Sequence, residues 1–191
     1  MSEKASNKLP RLSEMPDILR NEIKRLSLAN FSLLPLGGGT DGKTPLARSW
    51  TGPAISLGRV LAPMHRIGSN VYGIRLDGLM VIDCDISSDD LVCELERRFG
   101  PAAVHVKTPR GFHMYYLAGD FAPNLRREGL PVDVKTGGRC YVVGPQSERK
   151  DGSKYIPTKG ILGQSALTSF DCAQVQKSSS KKIQNSPVNS P

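Results

Sequence analysis

The stretch Leu79-Met80-Val81-Ile82-Asp83-Cys84-Asp85 runs four apolar residues directly into two acids that flank a single cysteine. Val and Ile favour a strand, and in a strand successive side chains alternate between faces. Asp83 and Asp85 therefore project together while Ile82 and Cys84 face the other way. Acids are depleted in strands, so two of them side by side next to an apolar run call for a reason. Two ionised carboxylates a few ångströms apart repel, and the cost of keeping both charged falls when Mg²⁺ or Mn²⁺ sits between them.

Outward from this stretch the chain alternates strand and turn signals. Val71-Tyr72-Gly73-Ile74-Arg75-Leu76 precedes it, and the intervening Asp77-Gly78 predicts a hairpin. Ser87-Ser88 can cap a helix over residues 89–99, with Leu91, Val92 and Leu95 as its apolar stripe and Gly100-Pro101 as its stop. Two runs, Val104-His105-Val106-Lys107 and Phe112-His113-Met114-Tyr115-Tyr116-Leu117, form a second hairpin around Thr108-Pro109-Arg110-Gly111. Residues 130–135 and 139–143 read as a third strand pair around Thr136-Gly137-Gly138. Upstream, Ile18, Leu19, Ile23 and Leu26 give residues 17–30 helical periodicity, residues 31–36 form a buried strand, and residues 37–43 form a Gly-rich loop. That loop lacks the Gly-Lys-Ser/Thr ending of a phosphate-binding P-loop, although Lys43 and Arg48 remain candidate contacts to nucleotide or template. No internal repeat is present.

Asp133, in Pro131-Val132-Asp133-Val134-Lys135, supplies a third carboxylate on a later strand, opposite in facing to Val132 and Val134. Three aspartates can hold the two metals that phosphoryl and nucleotidyl transfer commonly use. His113 shares a strand face with Tyr115 and can donate to a phosphate, with Gly111 allowing close backbone approach and Arg110 and Lys107 as nearby cations. Lys135 lies two residues beyond Asp133, suited to pairing with it or with a phosphate. Asp-x-Asp also occurs in haloacid-dehalogenase-type phosphatases and glycosyltransferases. The phosphatase pattern continues to a Thr where Ser87 stands and belongs to alternating strand-helix units, whereas these strands read as hairpins. A rolling-circle nuclease would want a His-hydrophobe-His pair, and His65, His105 and His113 are isolated.

Composition bounds the partners. The 191 residues suit one domain with flexible ends: a leader over 1–16, a folded core over 17–162, and a tail over 163–191 whose Ser, Lys, Asn and Pro content predicts disorder. A net charge of +8 favours a polyanionic partner, and the acidic centre around Asp83 with basic flanks suits metal plus phosphate. No apolar run approaches the roughly 20 residues of a membrane span, and the polar N-terminus carries no signal-peptide core, so no membrane association and a cytoplasmic location are expected. Cys84, Cys93, Cys140 and Cys172 form no Cys-x-x-Cys pair, which argues against a zinc ribbon or a disulfide framework.

In their order, these segments resemble the bifunctional DNA primase/polymerase N-terminal domain, a branch of the archaeo-eukaryotic primase superfamily, over residues 31–156. Leu34-Pro35-Leu36, Gly42-Lys43-Thr44-Pro45 and Trp50 are similar to its opening, and Tyr72-Gly73-Ile74-Arg75 with residues 79–85 to its first catalytic motif. Thr108-Pro109-Arg110-Gly111-Phe112-His113-Met114-Tyr115-Tyr116 is similar to the second, and Val132-Asp133-Val134-Lys135 followed by Gly137-Gly138, residues 141–147 and Gly152-Ser153-Lys154-Tyr155 to the third and its downstream strands. Phe112 stands where a second Gly is common, and Gly144-Pro145-Gln146-Ser147 replaces a more usual Ala-Pro-Pro-Ser. The resemblance implies an α+β, RRM-like catalytic core with mainly antiparallel strands and flanking helices, Asp83, Asp85 and Asp133 as ligands of Mg²⁺ or Mn²⁺, and His113 on the incoming nucleotide. It further implies a single-stranded DNA template, NTP or dNTP as substrate, and replication of a plasmid, phage or integrated element. No Walker motif follows, so the expectation is either a separate replicative helicase acting in trans or a stand-alone or shortened protein of such an element. A non-catalytic DNA-binding accessory of the same fold is the alternative.

Overall fold

A computed structural model describes residues 15–170. In chain order it contains α1 (Asp17–Leu28), β1 (Leu33–Gly38), β2 (Thr44–Pro45), α2 (Leu57–Ile67), β3 (Tyr72–Cys84), α3 (Asp89–Phe99), β4 (Val104–Lys107), β5 (Phe112–Leu117), a short 3₁₀ turn (Leu125–Glu128), β6 (Val132–Val143) and β7 (Ile156–Lys159). The strands form one seven-stranded sheet whose pairings are all antiparallel, giving the expected α+β, RRM-like class. Among the described residues no helix is long and apolar enough to cross a membrane.

β3 is the organising strand. β6 runs along one edge for its whole length, and the other edge is divided between β1, against Tyr72–Ile74, and β5, against Leu79–Cys84. The Asp77-Gly78 hairpin expected from the sequence is therefore not formed: residues 72–84 are a single strand. The separate strands expected at 130–135 and 139–143 are likewise one strand, β6. Each half of β3 finds its partner in β6 rather than in its other half, and both strands become irregular together between Arg75 and Met80. Gly78 at φ 69° and Gly137 at φ 83° take up this irregularity in the left-handed region that glycine tolerates.

Two apolar layers cover the sheet. On one face α1 and α2 pack Leu19, Ile23, Leu26, Val60 and Met64 against Ile74, Val81 and Tyr115. On the other, α3 packs Leu91, Leu95 and Phe99 against Met80, Ile82, Met114 and Tyr116. Ser88 caps α3 as its sequence suggests, its Oγ accepting from the Leu91 N–H at 3.2 Å. α2 carries no strong sequence signal, because Gly58 and Pro63 interrupt an otherwise short periodic run. β4 and β5 form the expected hairpin, closed by the Thr108 N–H donating to the Gly111 carbonyl at 2.8 Å.

The ordered chain extends past residue 162. Residues 163–170, assigned to the tail on composition, return to the end of β5, where the Leu117 N–H donates to the Thr168 carbonyl at 2.9 Å and the Phe170 N–H to the Leu117 carbonyl at 3.2 Å. Phe170 is buried, stacked on Phe99 at 4.7 Å and edge-on to Tyr116 at 5.4 Å. One aromatic residue in a polar segment thus completes the second core, an effect that composition averaging hides. The expected leader up to residue 14 and the tail beyond residue 170 lie outside the described residues.

Candidate active site

The first apolar layer stops at Val81 and Tyr115, and the next row of the same sheet face is polar. Across the three adjacent strands β5, β3 and β6, His113, Asp83 and Asp133 are direct partners. Directly opposed side chains on neighbouring strands have Cβ atoms about 4.5–5.5 Å apart. Asp85 follows one alternation beyond Asp83, with its N–H donating to the Pro131 carbonyl at 2.9 Å. α1 and α2 do not reach this end of the sheet, and a cleft of about 290 Å³ opens there, lined by Asp83, Asp85, Arg110, His113 and Lys135. Its opposite wall is built by Asp41 and Lys43 from the Gly-rich loop, with Tyr141, Arg149 and Tyr155. The wall is tied together by the Tyr141 hydroxyl donating to the Lys43 carbonyl at 3.0 Å and by Arg149 Nε donating to the Asp41 carbonyl at 3.2 Å.

Every carboxylate in the row faces a nitrogen. Asp83 lies between Lys135 Nζ, which donates to Oδ2, and His113 Nε2, which lies 3.4 Å from Oδ1. Burial pushes the Asp83 carboxyl upward, but His113 and then Lys135 outweigh it and hold the group well below the usual carboxylate range. Asp83 is thus ionised at neutral pH and accepts hydrogen bonds only, so His113 must present a protonated Nε2 to it. In the neutral ring Nδ1 is then the unprotonated nitrogen, and it is buried with no protein partner. Asp85 accepts from Arg110 Nη2 at 2.9 Å and from Arg126. Asp133 accepts from Arg126 Nε and, at 3.0 Å, from Arg126 Nη2. The Arg126 guanidinium holds the Asp133 carboxyl below its ordinary value, more than its slight burial raises it.

Asp83, Asp85, Asp133, His113, Arg110 and Lys135 are thus brought together; Lys107 and Gly111 are placed differently. The β4–β5 register sets Val106 opposite His113 and Lys107 opposite Phe112, so Lys107 emerges on the far face of the sheet. Gly111 is needed for packing against protein rather than for phosphate approach: a Cβ there would lie 2.1 Å from the Cys84 carbonyl oxygen and 2.7 Å from that of Ile86. Lys135 pairs across the strand with Asp83 instead of along its own strand with Asp133. Arg126, Asp41, Arg149 and Tyr155 were not foreseen. Only the tertiary fold brings Asp41, Arg149 and Tyr155 to the cleft and seats Arg126 on Asp85 and Asp133.

The donor chemistry decides what the cleft can hold. Burial, followed by the charges of Asp83 and Asp85, pushes the Cys84 thiol up to about 12, which disfavours a free thiolate nucleophile at neutral pH. What remains is a set of carboxylate oxygens beside one imidazole, and hard oxygen donors suit Mg²⁺ or Mn²⁺. Among the described residues no three His, Cys, Asp or Glu side chains are gathered as a ready metal site. Arg126, Arg110 and Lys135 hold those oxygens instead.

No curated protein matches the chain in sequence. Among solved structures it is similar to the catalytic domain of primase Repb' in complex with initiator DNA, at 16% identity and a TM-score of 0.49, covering 88% of this chain and 99% of that one. The model of the family described as bifunctional DNA primase/polymerase, N-terminal, matches residues 24–167. That match spans well over half of the 191 residues, and the chain belongs to the family of bifunctional DNA primase/polymerase N-terminal domains.

Proposed function

We propose that this domain is a template-dependent DNA primase/polymerase. The 3′-hydroxyl of a strand paired to single-stranded DNA attacks the α-phosphate of an NTP or dNTP, a phosphodiester bond forms, and pyrophosphate leaves. The observation that supports it most is the row His113–Asp83–Asp133 across three adjacent strands, with His113, Asp83 and Asp85 lining a cleft that also carries basic side chains.

Asp83, Asp85 and Asp133 would hold Mg²⁺ or Mn²⁺, which when bound supplies charge neutralisation for the triphosphate and activation of the attacking hydroxyl. The depressed Asp83 carboxyl needs no deprotonation before it can serve as a ligand. His113 would turn its Nε2 proton from Asp83 to a phosphate oxygen of the incoming nucleotide. Arg110, exposed on the β4–β5 turn, and Lys135 add charge-assisted contacts to the same phosphates. Lys43 and Arg149 on the facing wall lie where a template or triphosphate would pass. The wider setting in this reading is a plasmid, phage or integrated element served by a separate replicative helicase, in the cytoplasm.

A non-catalytic DNA-binding relative of the same fold is the second reading, favoured by the Lys and Arg side chains already seated on all three aspartates. Primer extension and de novo priming on a single-stranded template, with Mg²⁺ or Mn²⁺, separates the two. The catalytic reading expects incorporation that falls by at least about 10²-fold in the Asp83→Ala, Asp85→Ala protein. Incorporation at the wild-type rate in that double variant refutes it. Salt-sensitive DNA binding without any incorporation by the wild type supports the accessory.

A further inference from the structure

We infer that Arg126 is a built-in counter-ion that competes with divalent metal for Asp85 and Asp133. This rests on the reading of those two aspartates as metal ligands and adds a residue that controls their occupancy.

The geometry is specific. Arg126 Nε and Nη2 engage both oxygens of Asp133, and Nη2 also reaches Asp85 Oδ2. One guanidinium therefore spans two carboxylates, one just past the end of β3 and one on β6, as a shared metal ion would. Arg110 takes the remaining Asp85 oxygen, but from a turn on the other side of that carboxylate. Arg110 touches only one of the acids; Arg126 is the cation that links two of them.

Its mounting allows it to leave. Arg126 sits on the 3₁₀ turn between β5 and β6, and the backbone of that turn is fixed by its neighbours. Leu125 is buried in the second core, Asn124 Oδ1 accepts from the Arg127 N–H at 3.3 Å, and Glu128 pairs with Arg98 of α3 at 2.9 Å. The Arg126 side chain itself is half exposed, so a change of rotamer withdraws the guanidinium and leaves the turn in place.

The strength of the contact sets the size of the competition. Exposed ion pairs are individually weak, and the loss of two of them corresponds to about a two- to thirtyfold change in an equilibrium constant. Arg126 is thus strong enough to raise the metal concentration the site requires and too weak to exclude metal. It also neutralises Asp85 and Asp133, which would otherwise repel each other and Asp83 at the end of the sheet.

The test is Mn²⁺ binding to the full chain without nucleotide or DNA, read from the electron paramagnetic resonance signal of free Mn²⁺. The proteins compared are wild type, Arg126→Gln, Arg126→Lys, the neighbouring control Arg127→Gln, and Asp85→Asn. Arg126→Gln is expected to bind Mn²⁺ about two- to thirtyfold more tightly. Arg126→Lys should fall between it and the wild type, and Arg127→Gln should match the wild type. Equal or weaker Mn²⁺ binding by a folded Arg126→Gln protein, with wild-type binding that Asp85→Asn weakens, overturns the counter-ion while leaving the metal site standing. Absence of Mn²⁺ binding in both wild type and Arg126→Gln overturns the metal reading and the inference together.

Discussion

Gly111→Ala tests how closely the β4–β5 turn is fitted against the end of β3. Gly111 has no left-handed backbone angle, so the substitution adds sterics alone. The new Cβ would stand 2.1 Å from the Cys84 carbonyl oxygen and 2.7 Å from the Ile86 oxygen. Ordinary C···O contacts lie near 3.3–3.6 Å, so the β4–β5 turn must retreat from the end of β3 by roughly 1 Å. Both colliding atoms are main chain at the end of a central strand, and neither can swing aside as a side-chain tip would. Overpacking of this kind costs about 2–3 kcal/mol, which for a domain of this size lowers Tm by roughly 4–12 °C. The same retreat carries Arg110 away from Asp85 and His113 away from Asp83. A misplacement of about 1 Å costs on the order of 10²-fold in rate. Thermal unfolding and primer extension, read together, check both halves. Gly58→Ala in α2 is the control, since its Cβ meets nothing within 4 Å and a helical alanine is preferred by about 0.5–1 kcal/mol. A Gly111→Ala protein that melts with the wild type and extends primers at its rate would refute the steric account.

Two further outcomes are expected. Asp83 is held below its ordinary pKa in the folded protein, so its contribution to stability is complete above the unfolded value of about 4 and is lost as pH falls below it. In EDTA, the gap in Tm between wild type and Asp83→Asn should narrow as pH drops from 6 toward about 3; a gap that stays constant over that span contradicts the ionised pairing with His113 and Lys135. Phe170→Ala removes a buried ring stacked on Phe99 and should cost about 3 kcal/mol by denaturant unfolding. A cost near zero would place the end of the folded unit before residue 163, as composition alone suggested.

The parts that could be read from sequence are those fixed by local chemistry. Thr108-Pro109-Arg110-Gly111 allows one compact turn, so β4 and β5 were located to the residue, and Ser88 announced α3 by its capping hydroxyl. Asp77-Gly78 and Thr136-Gly137-Gly138 each permit two solutions, a hairpin turn or an irregularity inside a longer ladder. The choice depends on a partner strand some 60 residues away, for which a local signal carries no information. Lys107 was misjudged because its nearness to His113 in sequence says nothing about facing, which the hairpin register decides. Arg126 left no trace at all: its importance comes from a contact with Asp85 across 41 positions, made by a turn with no motif of its own.

The irregularity that sequence reading mistook for a hairpin is also what delivers the carboxylates to the cleft. On β3, Tyr72, Ile74 and Leu76 belong to the layer beneath α1 and α2, and so do Leu79 and Val81. Unbroken alternation from Leu76 would send Met80 and Ile82 to that layer, and with them Cys84, while Asp83 and Asp85 would turn toward α3. Met80, Ile82 and Cys84 instead join the opposite core, because the chain slips by one residue around Gly78. β6 changes face at the matching point, with Val142 in the first layer but Val132 and Val134 in the second, which leaves Asp133 and Lys135 beside Asp83. The two strands must shift together, since a slip in one alone would set Asp133 and Asp83 on opposite faces of the sheet. Glycine at both points, each with a left-handed φ, is therefore tied to the site as directly as the aspartates are, although neither Gly78 nor Gly137 lines the cleft.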